Sequence, residues 1–207
     1  MSIVKLNNRG VRSATTFGSI SALGSMTFIK KLTASSSATL SFVDGSSSVV
    51  LDNTYKEYIF TYNNLHPQND DASLEFNLSI DSGSNYNVTK TSNSFRAFQN
   101  EAGSSTALAY FAANDLAQGT GFQPLGDENQ SNDNDHGQCG ILYLFNPSDT
   151  TFVKHFIATN VNVHAGDYII NDYIAGYGNT TSAVDAIQFK YHNGNIDAGD
   201  ICLYGIN

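Results

Sequence analysis

The two apolar segments at the end of the chain constrain its fold most. In residues 186–192, Ile187, Phe189 and Tyr191 alternate with polar or charged residues, and this period of two indicates a β-strand with one buried face. In residues 201–206, by contrast, apolar side chains fall on both sides of the predicted strand. Such a strand needs cover on both faces, from a second sheet or from another subunit. We therefore predict that these two strands close a β-sandwich.

Shorter apolar segments follow one another from residue 25 onwards. In residues 73–80, four apolar residues alternate with polar ones, which predicts a strand with one solvated face. Residues 55–62 are long enough for a central strand. Other strand-like segments lie at 26–29, 38–43, 95–99, 107–111, 140–145, 151–159 and 168–174. About ten strands with frequent turn signals predict an all-β, jelly-roll-like sandwich.

The charges of the chain are few and unevenly placed. Charged residues make up 14% of the 207 residues, against roughly 25% in typical domains, which suits a particle surface better than a cytosolic enzyme. The first acidic residue is Asp44, and residues 44–207 contain five basic and nineteen acidic residues, a net charge of −14. Such an acidic body repels phosphate, so we expect no nucleic-acid partner.

Residues 1–24 differ from the rest of the chain, because they contain isolated apolar residues without a period. We predict that they form an extended basic arm that docks on a neighbouring subunit or larger assembly, while residues 25–207 form a single sandwich domain. The expected anchors of the arm are Lys5, Arg9, Arg12 and Phe17. No apolar run reaches the length of a membrane helix, so we expect no membrane partner.

The sequence lacks the motifs of common catalytic sites. It has no Gly-x-Ser-x-Gly and no phosphate-binding Gly-x-x-x-x-Gly-Lys, and its five histidines do not have metal-ligand spacing. We therefore expect a protein that is not an enzyme, with no catalytic, cofactor-binding or metal-binding residues. Cys139 and Cys202 lie in apolar segments, which favours two buried thiols; a single disulfide between them is left open.

The interval between Phe111 and Gln138 is rich in Asn, Asp, Gly and Gln. We predict a long loop there that serves as a contact surface, with a turn or two of helix at residues 112–118. Its acidic part, residues 127–137, favours a solvated loop over a calcium site, although calcium is left open. Tyr177, between two glycines, is the aromatic residue that we expect to be most exposed. The predicted contact residues are Phe122, Asp133, Asp135, His136 and Tyr177.

Three segments carry a resemblance to a known family. They are residues 5–20 (KLNNRGVRSATTFGSI), residues 52–60 (DNTYKEYIF) with Leu65-His-Pro67, and residues 199–206 (GDICLYGI). The chain resembles uncharacterised virion structural proteins of marine tailed phages, cyanophages included, and its end is similar to the terminal strand of phage fibre-type modules. Residues 100–140 are the least similar part. The resemblance implies a component of the virion, assembled in the host cytoplasm, and identifies no catalytic or binding residue.

Together these observations predict a non-enzymatic structural module that faces outward from a phage particle and is attached by its arm to other virion proteins. Head decoration and a tail or fibre position are both left open. The strand that is apolar on both faces predicts a homo-oligomer, most simply a trimer. The alternative is a module that binds host-surface carbohydrate through residues 112–138 and Tyr177.

Overall fold

The computed structural model describes residues 25–127 and 129–207, which form two antiparallel β-sheets and confirm the predicted all-β fold. The predicted arm, residues 1–24, lies outside the described residues. In chain order the strands are β1 (Met26–Thr33), β2 (Leu40–Val43), β3 (Glu57–Pro67), β4 (Leu74–Ser79), β5 (Lys90–Asn100), β6 (Thr106–Tyr110), β7 (Ala117–Gly119), β8 (Gln123–Pro124), β9 (Gln138–Phe145), β10 (Lys154–His164), β11 (Tyr168–Gly178), β12 (Ala186–Tyr191) and β13 (Ile196–Ile206).

The two sheets differ in size. The large sheet has the order β1-β13-β3-β9-β10-β11-β5-β6, with β7 also paired to β5, and the small sheet has the order β2-β12-β4-β8. Strand β3 lies between β13 and β9, which confirms the central strand predicted at residues 55–62. The nine-and-four division is consistent with a β-sandwich, while the jelly-roll arrangement specifically is not confirmed.

The last two strands belong to different sheets, as expected for strands that close a sandwich. β12 lies in the small sheet and β13 in the large sheet, so the chain crosses between the sheets within residues 192–195. Between the sheets, the ring of Phe60 packs 5.4 Å from the ring of Phe42 and 5.6 Å from the ring of Phe189. Aromatic side chains of this kind dominate the burial energy of a core, because each removes a large apolar area from water.

The prediction that β4 has one solvated face is wrong. Asn77 and Ser79 are buried together with the apolar residues of the strand, whereas Ile80 is 43% exposed. The Asn77 side-chain amide donates hydrogen bonds to the main-chain oxygens of Tyr86 and Thr120, at 2.6 and 3.0 Å. The chain after β4 and the chain after β7 therefore cover this face, which periodicity within a single strand does not reveal.

The interval between Phe111 and Gln138 is also more ordered than the predicted loop. It contains the 3₁₀ helix Ala112–Asn114, where a helical turn was expected, and the short strands β7 and β8. Gln123, Leu125 and Gln130 of this interval are fully buried. Much of the predicted contact loop is thus part of the interior, because its polar side chains satisfy main-chain groups there.

Candidate functional site

The charged residues of five neighbouring strands all turn toward the inside of the sandwich. Strands β5, β6, β9, β10 and β11 contain only four Lys, Arg, Asp or Glu residues. Lys90, Lys154 and Asp172 are fully buried, and the side chain of Arg96 is 20% exposed beside buried Asp127. The opposite side of these strands therefore carries no formal charge apart from what His155 would add when protonated.

That opposite side carries large apolar side chains in contact with solvent. We call it the apolar outer face and define it by six residues that are between 38% and 74% exposed: Phe95, Leu108, Ile157, Val161, Ile169 and Tyr173. The rings of Phe95 and Tyr173 stack at 4.9 Å with an interplanar angle of 7°. The five strands have 5, 8, 11, 11 and 11 residues, so at about 3.3 Å per residue and about 4.8 Å between strands the whole face, with its uncharged polar residues, covers about 700 Å².

An area of about 800 Å² per partner is what a standard stable protein–protein interface buries. Single exposed apolar residues are normal on protein surfaces, whereas a contiguous patch of several hundred Å² marks an interaction site. The apolar outer face is therefore the candidate functional site among the described residues.

The two buried lysines donate their hydrogen bonds to main-chain and amide oxygens. Lys90 Nζ donates to Val88 O at 2.8 Å and also to the side-chain oxygen of Asn77. Lys154 Nζ donates to Phe152 O at 2.7 Å. Burial lowers the pKa of Lys90 to about 7 and also lowers the pKa of Lys154, because a desolvated ammonium loses its hydration.

A second buried polar cluster lies around Arg96, whose guanidinium pairs with the Asp127 carboxylate and stacks 3.7 Å from the centre of the Phe111 ring. Asp172, directly opposite Arg96 on β11, is fully buried. Burial raises the pKa of Asp172 to about 7, and the positive charge of Arg96 opposes that rise. The neighbouring amides of Asn160 and Asn162 are also buried on the inner side of β10.

The acidic segment of residues 127–137 is divided by the fold. Asp127 is buried against Arg96, so the prediction of a solvated loop is wrong for this residue, while the side chains of Asp133 and Asp135 are 72% and 91% exposed. The ring of His136 lies 4.0 Å from the Asp133 carboxylate and 3.9 Å from that of Asp135.

Asp135 and His136 line a polar pocket of about 400 Å³ together with Asn64, His66, Asn134, Gly137, Asp197 and Ala198. His66 Nδ1 lies 3.9 Å from the Asp197 carboxylate, and His66 Nε2 lies 3.1 Å from the main-chain oxygen of Asp133. The pocket offers hydrogen-bond donors and acceptors, and its lining contains no Phe, Tyr or Trp.

The other two predicted contact residues lie elsewhere. Phe122 is half-buried beneath Lys190, whose Nζ is 4.6 Å from the ring centre. Tyr177 is on the outer side of β11, where its ring lies 6.2 Å from that of His155. Tyr177 is half-buried, so the prediction that it is the most exposed aromatic residue is wrong: Tyr110 is 63% exposed. The five contact residues do not form one site.

Two further sequence predictions concern the arm and the cysteines. Lys5, Arg9, Arg12 and Phe17 lie outside the described residues, and their role stays a prediction. Cys139 and Cys202 are free thiols; Cys202 is buried as expected, and Cys139 is only half-buried.

Sequence reasoning missed the apolar outer face. The alternation of Ile157, Thr159 and Val161 with Ala158 and Asn160 is visible in the sequence. Periodicity indicates two faces and does not say which one is buried. The signal that could have found the site is the presence of Asn160 and Asn162 on the side of the strand opposite a run of β-branched residues. Whichever side is buried, a monomer must either bury amide groups or expose apolar side chains to water.

Among residues 25–127 and 129–207, no group of three or more His, Cys, Asp or Glu residues is placed to hold a metal ion. No helix in this part of the chain is long and apolar enough to cross a membrane. Comparisons with protein-family models, with curated proteins and with solved structures found no match for this chain.

Proposed function

We propose that this chain is a non-enzymatic structural subunit of a phage particle that associates through its apolar outer face. The observation that supports this most is the inward orientation of Lys90, Arg96, Lys154 and Asp172, which leaves the opposite side of five strands uncharged. Covering such a face contributes about 25 cal/mol per Å² of apolar area and desolvates no ion. The phage particle itself is the expectation from the sequence resemblance.

In this proposal the acidic body faces outward, and the basic residues 1–24 attach it to other virion proteins. The three-subunit assembly expected from the sequence remains a prediction. Removing residues 1–20 is expected to leave a folded sandwich that is no longer incorporated, as measured by mass spectrometry of purified particles. Normal incorporation of the shortened chain would contradict the role of the arm.

The role of the outer face is tested by two isoleucines of nearly equal exposure. Ile157 lies on the apolar outer face and is 47% exposed, whereas Ile80 follows β4 of the small sheet and is 43% exposed. We expect Ile157→Lys to lower the mass measured by light scattering below that of the native chain, because a buried unpaired ammonium is costly. Ile80→Lys is the matched control and should leave the mass of the native chain unchanged. A native chain that is monomeric at micromolar concentration would contradict the proposal.

The second candidate function is binding of host-surface carbohydrate, which the pocket around Asp135 and His136 favours. Its carboxylate, imidazole and amide groups suit the hydroxyl groups of a sugar, since these donate and accept hydrogen bonds. A glycan array probed with the native chain and with Asp135→Asn and His136→Ala tests this function. Specific binding that both variants lose would support it, and binding that neither variant changes would contradict a role for this pocket.

A further inference from the structure

The edge of the large sheet at β6 differs from the opposite edge. At that opposite edge, β1 contains Lys30 and Lys31 and a bulge after Phe28. Charges and bulges are means by which proteins keep an edge strand from pairing with another chain. Strand β6, with the sequence Thr-Ala-Leu-Ala-Tyr, contains no charge, proline or bulge, and all five of its residues are exposed.

The edges of the small sheet are protected in other ways. Strand β8 has only two residues, one of which is Pro124, and β2 has four residues and is followed directly by Asp44. Within the described part of the chain, β6 is thus the edge that presents the fewest obstacles to a further strand.

The hydrogen bonds beside β6 show which of its main-chain groups are free to pair. Phe111 N donates to Ser94 O at 2.9 Å, and Asn100 N donates to Ser105 O at 3.0 Å. In an antiparallel ladder, hydrogen-bonded residue pairs alternate with pairs that are not hydrogen-bonded. Residues 107 and 109 therefore direct their main-chain groups at β5, and Thr106, Leu108 and Tyr110 direct theirs away from the sheet.

We propose that β6 pairs antiparallel with β6 of a second copy, about a two-fold axis that passes between the two Leu108 residues. This inference rests on the self-association proposed above and adds to it the sheet edge at β6, which borders the apolar outer face at Leu108. Leu108 then exchanges two main-chain hydrogen bonds with the partner's Leu108. Thr106 and Tyr110 do the same with the partner's Tyr110 and the partner's Thr106.

A second copy fits this edge because the edge is complementary to itself. Centring the pairing on Leu108 engages all three outward-directed residues, which a shift by two residues along the strand would not. The side chains that meet are uncharged, so the two-fold axis brings no charge against its own copy within the paired residues. The nearest carboxylates lie at the two ends of β6: Asp115 accepts a hydrogen bond from the Tyr110 hydroxyl, and Glu101 precedes the strand in the sequence.

The geometry has a consequence for the whole assembly. An axis perpendicular to the sheet keeps the apolar outer faces of both copies on the same side, where they form one continuous surface. The contact joins copies in pairs, because a two-fold interface uses the same patch on both. A three-fold axis elsewhere on the molecule would combine with it to give six subunits where the two axes meet at right angles.

Cysteine cross-linking tests the register. In a hydrogen-bonded antiparallel pair the two Cα atoms are about 5.5 Å apart, within the range of a disulfide. Thr106 and the partner's Thr106 would instead be offset by four residues, about 13 Å. In a Cys139→Ser background, we expect Leu108→Cys to give a covalent dimer under mild oxidation and Thr106→Cys to give none. A mixture of Thr106→Cys and Tyr110→Cys chains should again cross-link.

The outcomes separate this inference from the proposed function. If the native chain is oligomeric by light scattering but Leu108→Cys gives no dimer, or no more than Thr106→Cys, the β6 pairing is wrong and self-association stands. If the native chain is monomeric, both are wrong. Slow hydrogen exchange of the amides of Leu108 and Tyr110 in a monomer would show that another segment of the same chain, such as residues 1–24, covers β6, and would overturn the inference.

Discussion

The inner side of the large sheet has two halves of opposite character. Under β13, β3 and β9 it presents large apolar side chains such as Tyr58, Phe60 and Leu144, all fully buried. Under β10, β11 and β5 it presents Asn160, Asp172 and other polar groups at the same depth. The first half supplies most of the hydrophobic stabilisation, because removing apolar surface from water stabilises the folded state. The second half keeps part of its apolar surface outside, where it is available to a partner and contributes little to folding of the monomer.

The largest effect of a substitution on folding stability is expected in the apolar half. Phe60→Ala should lower the free energy of unfolding by about 3–5 kcal/mol, because it leaves a cavity between the sheets. Urea unfolding of the native chain and the variant measures this change. Phe95→Ala, in the outer face of the other half, is the control, and we expect a change of less than about 1 kcal/mol for it in the monomer. Equal losses would show that the two halves do not differ in this way.

The next largest effect on folding stability is expected from the carboxyl of Asp172, which is buried in the polar half. Since the pKa of Asp172 rises from 3.8 to about 7 on folding, the folded state binds its proton more tightly than the unfolded state. The resulting stabilisation is complete below pH 3.8 and is lost as the pH rises through 7; it amounts to at most about 4 kcal/mol.

We therefore expect the native chain to lose stability between pH 4.5 and 7 by more than Asp172→Asn does. Urea unfolding at both pH values measures the difference between the two proteins. Parallel pH profiles of the two proteins would be incompatible with a buried carboxyl that titrates near neutral pH.

Lys90 should make the stability of the fold increase with pH, in a higher pH range than the one in which Asp172 makes it decrease. Its pKa falls from 10.5 to about 7 on folding, so the unfolded state binds more protons between these values. The penalty for burying its charge is complete below pH 7 and decreases as the pH rises toward 10.5. We expect the native chain to gain stability from pH 7 to 9.5 relative to Lys90→Met, as measured by thermal unfolding. The absence of any difference between them would indicate that Lys90 stays charged in the fold.

The smallest effect on folding is expected on the apolar outer face. Val161→Thr should change the stability of the monomer by less than about 0.5 kcal/mol, as is usual for exposed positions, and should weaken self-association. Thermal unfolding at low concentration and light scattering at high concentration separate the two quantities. A large loss of monomer stability would mean that Val161 is packed within the subunit.

The all-β fold follows from the sequence because the alternation in residues 186–192 and the long segment at 55–62 depend on local pattern alone. The burial of Asn77 does not follow, because it depends on segments that are distant in the chain and cover β4 from outside. The same limit applies to the candidate site. A strand such as β10 has one polar and one apolar side, and only the partners of its inner side, such as Asp172 beside Asn160, determine which side is buried.

The position of β13 between β1 and β3 bears on how the protein is made. Lys31 and Asp200, which pair across β1 and β13, are 169 residues apart in the sequence, so translation separates them by on the order of ten seconds. During that time β1 has no strand to pair with among the described residues, and β3 lacks one of its two neighbours. The large sheet can therefore be completed only after β13 has emerged from the ribosome. A chain that ends before residue 196 would have a first strand without its partner.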